Sequence, residues 1–343
     1  MPPSQPSRFD ADHASVGWTV RCAACGSCCN SAPILSLPEV LRHQHLFIGA
    51  LGLRRVGRVR AGDSAGHGGA TFVASAADQA ACQRIAADCL HPFPGQEHDL
   101  LLTPLGFEDP GVDRCPALGP DARCTVHGRD KPSMCGAIPF DPLAPDRLQH
   151  LVLAERWVDS DDLGARCIAR ASNPERMSVQ GSRTLDVDVR RSLATARRGL
   201  AADKRFWGTI IHAQIVEQLF GEQGDARRVP TQDFLVIPLT PVLEWLAQVS
   251  QRCRERCLEY LDAQLVLCET AAHRFVARKQ SSQGTSLARL RGFARADHVL
   301  RNVLLSSPFE PKALPRARVD EIEEWMEGAQ PEVSALLGGS GMA

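Results

Sequence analysis

Lysine is nearly missing from this chain; it stands only at Lys131, Lys204, Lys279 and Lys312. Almost all positive charge is arginine, and beside the abundant alanine this reads as the bias of a GC-rich genome rather than as function. An excess of either charge is missing too. A formal net charge of −1 gives no general reason to expect nucleic acid or an anionic membrane as partner. No apolar run approaches the ~18–20 residues that would span a bilayer. The opening Met1–Arg8 stretch is polar and proline-rich, without the basic and apolar regions of a secretory signal. The expectation is a cytoplasmic protein whose thirteen cysteines stay reduced unless metal holds them.

The familiar catalytic signatures are also lacking. There is no G-x-G-x-x-G, no P-loop, no G-x-S-x-G and no H-E-x-x-H. The C-x₃-C-x₂-C spacing of radical enzymes that use S-adenosylmethionine is absent as well. No catalytic residue can be assigned from order alone, and whether the protein is an enzyme stays open.

What is present is cysteine in an unusual pattern. Cys22-Ala-Ala-Cys25-Gly-Ser-Cys28-Cys29 places four thiols within eight positions. Thiols this close along the chain rarely meet disulfide geometry with one another. Soft thiolates converging on one point are what zinc or an iron–sulfur cluster needs. The plain alternative, four structural cysteines, has nothing to explain the spacing, because a cysteine that only packs behaves as a small apolar residue. Gly26 would give a ligand-bearing turn its conformational freedom.

A second group follows downstream as Cys115-Pro116, Cys124-Thr-Val-His127, Lys131-Pro-Ser-Met-Cys135 and Gly164-Ala-Arg-Cys167. Turn residues surround these positions, so a short chain could bring them to one centre. The candidate metal ligands are therefore Cys22, Cys25, Cys28, Cys29, Cys115, Cys124, Cys135 and Cys167. His127 could replace one thiol, although an ordinary hydrogen-bonded histidine is the simpler reading. Cys253, Cys257 and Cys268 fall on the apolar stripe of a long helical pattern and read as core. Cys82 and Cys89 read equally well as core or ligand.

The run Cys22-x-x-Cys25-x-x-Cys28-Cys29 resembles the signature of the CxxCxxCC zinc- or iron-chelating family, the YkgJ-type cysteine-cluster proteins. The resemblance continues through Cys124-Thr-Val-His127 and Lys131-Pro132-Ser-Met-Cys135-Gly-Ala-Ile-Pro139-Phe140 and covers roughly residues 18 to 170. His127, Lys131 and Gly136 depart from the family's usual Tyr, Arg and Arg, while the cysteine spacing is kept. The resemblance implies a chelated metal. It extends at a distance to flagellin lysine N-methylases.

Cys22, Cys25 and Cys28 have the C-x₂-C-x₂-C spacing that supplies three corners of a [4Fe–4S] cluster, with a distant fourth cysteine. Cys115, followed by proline, would suit the fourth. Zinc commonly takes two C-x₂₋₄-C pairs, and only one such region exists here. The spacing favours an iron–sulfur cluster of the 4Fe-4S type, with zinc as the alternative.

With 343 residues, of which 44% are hydrophobic, the chain can bury a substantial core. Three regions are expected: a flexible lead over 1–17, a cysteine-cluster metal-binding domain over 18–172, and a mostly helical domain over 173–343. Asn173-Pro174 marks the join, because proline breaks a helix there. Ser36-Leu-Pro-Glu39 has the form of a capping box. The glycine-rich stretch 62–69 reads as a flexible loop, and Leu148–Trp157 as a buried strand or a short helix. The expected fold is mainly α, with a small irregular cysteine-rich metal-binding core and few short strands. The expected function is a metal-binding protein with a structural or redox role. The alternatives are a cluster-dependent enzyme, such as a protein-modifying methylase, and a zinc-stabilised adaptor for an unknown protein partner.

Overall fold

The structure is a computed structural model, and it describes residues 17–22, 26, 29, 33–67, 70–93, 97–107, 114–128, 130–163, 167–171, 173, 177–220, 226–277 and 284–328. The chain begins with β1 (Gly17–Val20), α1 (Leu37–Arg42), β2 (Ile48–Gly57) and the hairpin of β3 (Ser64–His67) and β4 (Ala70–Val73). Then come α2 (Ala76–Cys89), β5 (His91–Pro92), β6 (His98–Phe107), α3 (Ser133–Ala137), α4 (Gln149–Leu163), β7 (Ile168–Ala171), β8 (Val179–Gln180) and β9 (Arg183–Thr184). The rest is α5 (Val187–Asp203), a π-helical turn (Lys204–Gly208), α6 (Thr209–Phe220), β10 (Leu235–Pro238), α7 (Thr240–Leu246), α8 (Gln251–Ala277), α9 (Gly284–Ser306) and α10 (Arg316–Met326). Among the described residues, no helix is long and apolar enough to cross a membrane.

The chain divides into two units. The first comprises Met1–Asn30, Val56–Leu100 and Ala117–Arg197. Its sheet has the order β7-β1-β8-β9, antiparallel throughout, with Trp18 opposite Arg170 on one side and Val179 on the other. Trp18, Ala137, Phe140, Leu153, Ile168 and Val179 form its core, joined by Leu193 and Ala196. Polar side chains fasten the irregular segment ahead of α4. Gln149, fully buried, donates to the carbonyls of Asp141 and Ala144 at 2.7 and 2.8 Å. Arg197 donates to the carbonyl of Ala144 and pairs with Asp146 at 2.7 Å.

The second unit comprises Ser31–Arg55, Leu101–Pro116 and Arg198–Ala343. Here β2 is flanked by β10 and β6, with Leu53 opposite Leu235 and Ala50 opposite Pro238. Ile48, Ala50, Leu105 and Phe107 on this sheet pack against Cys268, Ala271, Leu290 and Phe293 of α8 and α9. The capping box at Ser36 forms as its sequence suggests: the Ser36 N–H donates to the Glu39 carboxylate at 2.8 Å. The helix α1 that it opens is buried along most of its length.

The expected fold class is overturned. About 53% of the described residues are helical, but two four-stranded antiparallel sheets replace the few short strands. Among the described residues, no group of three or more His, Cys, Asp or Glu is arranged to hold a metal, so no small metal-centred core organises them. The physical reason lies in β2 and β6. Both run for ten residues and are buried on both faces over much of their length, so they lack polar–apolar alternation. Gly49, Gly52 and Pro104 within them imitate turn signals. Gly52 is in fact a close-approach position, where a Cβ would meet Leu105 Cδ2 at 2.2 Å. One further expectation changes, and one left open is settled as helix. The stretch 62–69 is largely a hairpin strand rather than a loop, with Gly68 and Gly69 outside the described residues. Leu148–Trp157 belongs mainly to helix α4.

Candidate metal-binding site

The cysteine-bearing segments of the first unit are tied together through backbone. At the end of β1, the Arg21 N–H donates to the Cys167 carbonyl at 2.9 Å, continuing the β1–β7 ladder by one pair. Cys22, exposed, follows Arg21 directly, and Cys167 is half-buried at the head of β7. Strand pairing thus places two candidate ligands separated by well over a hundred residues at neighbouring positions.

Gly26 then turns the chain with φ +75°, a left-handed conformation that glycine adopts without strain. The Cys29 N–H closes this turn on the Gly26 carbonyl at 2.9 Å. A Cβ at Gly26 would stand 3.2 Å from Leu118 Cδ2 and 3.3 Å from the Ala122 carbonyl oxygen. The first cysteine turn therefore lies directly against the loop that carries Cys124. That loop is narrow: Leu118 bridges Cys124 in antiparallel register, and the Gly119 N–H donates to the Arg123 carbonyl at 2.8 Å. The Thr125 hydroxyl and N–H both donate to the Ala117 carbonyl, at 2.9 and 2.8 Å.

Cys135 sits in the short α3, half-buried. Its neighbours Met134 and Ala137 pack into the same apolar cluster as Trp18, Ile168 and Cys167. The first unit thus gathers the segments bearing Cys22, Cys29, Cys124, Cys135 and Cys167. Cys25 and Cys28 lie outside the described residues. Cys115 is buried and falls in the second unit, two residues before Ala117. His127 is exposed and donates its N–H to the Cys124 carbonyl at 3.2 Å, so its backbone shapes the loop.

Soft sulfurs are the donor type that a thiolate-bound metal takes. A four-thiolate centre here would have to draw on Cys25 or Cys28, because the described cysteines alone do not assemble a set. One feature the sequence reading did not single out stands beside the region. The Arg170 guanidinium lies 4.9 Å from the Trp157 ring centre and 5.9 Å from that of Trp18, and the two rings are 6.0 Å apart. Trp18, four positions before Cys22, was the available signal. No family model matches the sequence, no curated protein matches it, and no solved structure matches its fold.

The other cysteines behave differently. Cys253, Cys257 and Cys268 are at most 1% exposed within α8, as their place on an apolar stripe suggested. Burial pushes the Cys253 and Cys257 thiols up, and Cys82 on α2 is raised by burial and by the nearby Asp78 carboxylate.

Proposed function

We propose that the protein binds metal through its clustered cysteines, with an iron–sulfur cluster of the [4Fe–4S] type as the occupant and a structural or redox role. The observation that carries this reading is the backbone convergence: Cys22 beside Cys167, and the Gly26–Cys29 turn against the Cys124 loop. The C-x₂-C-x₂-C run matches the ligand spacing of three cluster corners, and Cys115, Cys124, Cys135 and Cys167 are the candidates for the fourth. The resemblance to the CxxCxxCC chelating family supports the same assignment. A bound cluster would supply one-electron chemistry or a covalent clamp between chain segments. The residues around it would have defined tasks: β1 and β7 would hold Cys22 near Cys167, and Gly26 would permit the turn.

The test is metal and sulfide content, with visible absorption, on protein purified without oxygen. The expected result is about four irons with sulfide per chain and a broad absorbance that bleaches on reduction. Colourless protein with one or two zincs would replace the iron assignment and leave a structural thiolate site. Metal-free protein, or Cys22→Ser and Cys135→Ser variants that load metal as fully as the parent, would refute the reading.

A further inference from the structure

Within the second unit, α8 and α9 pack along much of their length and leave a groove between them of about 450 Å³. That volume falls in the range of small-molecule sites. Its floor is apolar and built from Leu265, Cys268 and Ala272 on α8 and Leu290 and Ala294 on α9. Small residues at Cys268, Ala272 and Ala294 are what leave the space. Along α9 the rim is cationic, with Arg291 and Arg295 one helical turn apart and His298 beyond them. Opposite stands Glu269, 3.9 Å from His273 on its own helix.

The two arginines are the informative feature. Other arginines of this unit are held by carboxylates: Arg205 by Glu321, Arg252 by Glu323, Arg256 by Glu259 and Arg301 by Asp262. Among the described residues, Arg291 and Arg295 make no ion pair, although they border an apolar trough. Guanidinium forks match a carboxylate geometrically. No Phe, Tyr or Trp lines the groove, and the His298 imidazole stands on its rim. At 1.5 Å rise per residue, the lined stretches 265–272 and 290–298 extend roughly 10–12 Å, the length of a medium acyl chain rather than a long one.

We propose that this groove binds a medium-chain fatty carboxylate, its headgroup between Arg291 and Arg295 and its acyl chain over Cys268, Ala272 and Ala294. The complementarity is an anion for the paired cations and a single flexible apolar chain for the ring-free floor. This proposal does not depend on the metal reading, which concerns the other unit.

Isothermal titration of the full-length protein with decanoate, below its micellar concentration, tests the proposal. Decyltrimethylammonium serves as the cationic control of equal chain length. The expected result is one saturable decanoate site per chain and no saturable binding of the ammonium. The exposed double substitution Arg291→Ala/Arg295→Ala should weaken decanoate at least tenfold while leaving the thermal midpoint of the ligand-free protein unchanged. A second variant, Ala294→Leu, should obstruct the floor and weaken decanoate with both arginines in place. Absence of saturable decanoate binding, equal binding of the ammonium, or unchanged affinity in the double variant would each overturn the proposal. A dimer that the double substitution splits, without decanoate binding, would overturn it too and reassign the face to a second copy of the chain.

Discussion

Gly49 on β2 offers a sharp test of how the second unit is packed. A Cβ built there would stand 1.8 Å from the Tyr260 hydroxyl oxygen, 3.1 Å from Tyr260 Cζ and 3.1 Å from Val40 Cγ1. The first distance is impossible, so Gly49→Ala forces a rearrangement. The tyrosine cannot absorb it cheaply, because its ring is rigid and 1% exposed. The strand is no freer. The Gly49 N–H donates to Gln264 Oε1 at 2.8 Å, and the Gln264 amide donates to the carbonyls of Gln44 and Phe47. Overpacking a close-packed core costs typically ~1–3 kcal/mol, and a contact with so little room belongs at the upper end. The assay is urea unfolding followed by far-UV circular dichroism, read as the loss in unfolding free energy. Tyr260→Phe supplies the control, since it deletes the atom at 1.8 Å and leaves the ring. In that background the Gly49→Ala cost should drop by roughly 1–2 kcal/mol, a coupling expected only of residues in direct contact. A residual cost should remain from Cζ and Val40. A Gly49→Ala loss below about 0.5 kcal/mol, or an equal loss with and without the hydroxyl, would refute this account.

Two further predictions join the metal and decanoate tests. Burial pushes the Asp297 carboxyl up to about 7 from an ordinary value of 3.8, so the folded protein keeps a proton that the unfolded chain releases between those values. Stability from this group therefore declines as pH rises through that window and levels off above it. The shift of about three units sets a ceiling of roughly 4 kcal/mol. Asp297→Asn should flatten the dependence and be the more stable protein at alkaline pH; parallel stability curves for parent and variant would contradict this. Gly26→Ala, at φ +75° and against the Ala122 carbonyl, should lower the metal bound per chain with little change in the circular dichroism of the helices. Full metal loading in that variant would show that the turn does not shape the site.

The sequence exposes the helical half well and the sheets poorly, for one reason. The stripe from Val242 to Phe275 appears as α7 and α8, interrupted after Leu246, and the pattern near Ser286–Leu305 as α9. A helix that packs one face repeats its signal every turn, and many turns accumulate it. From Val187 to Phe220 the chain is likewise helical, with one irregularity at the π-helical turn Lys204–Gly208. There the buried Asp203 accepts hydrogen bonds from the Leu37 N–H and the Trp207 indole, at 3.2 and 3.3 Å. A long-range contact of that kind leaves no local trace. Neither does β8, two residues long, whose place in the sheet depends on the distant β1. Of the candidate site, the cysteine spacing was legible and the convergence was not. The meeting of Cys22 with Cys167 depends on the β1–β7 register, which a four-residue strand does not announce.

Burial separates the cysteines more cleanly than spacing does. A metal ligand must be a thiolate, and burial in apolar surroundings disfavours the charged form. Cys253 and Cys257 are one turn apart on α8, a geometry that could offer two ligands. Yet their thiols are pushed up by burial, and Cys253 further raises the cost of ionising Cys257. Cys22, Cys124, Cys135 and Cys167 stand on turns, strand ends and a single helical turn, exposed or half-buried. The same residue type thus performs two tasks in one chain. In α8, cysteine fills space as a small buried side chain, and in the first unit it stands on turns and strand ends, exposed or half-buried.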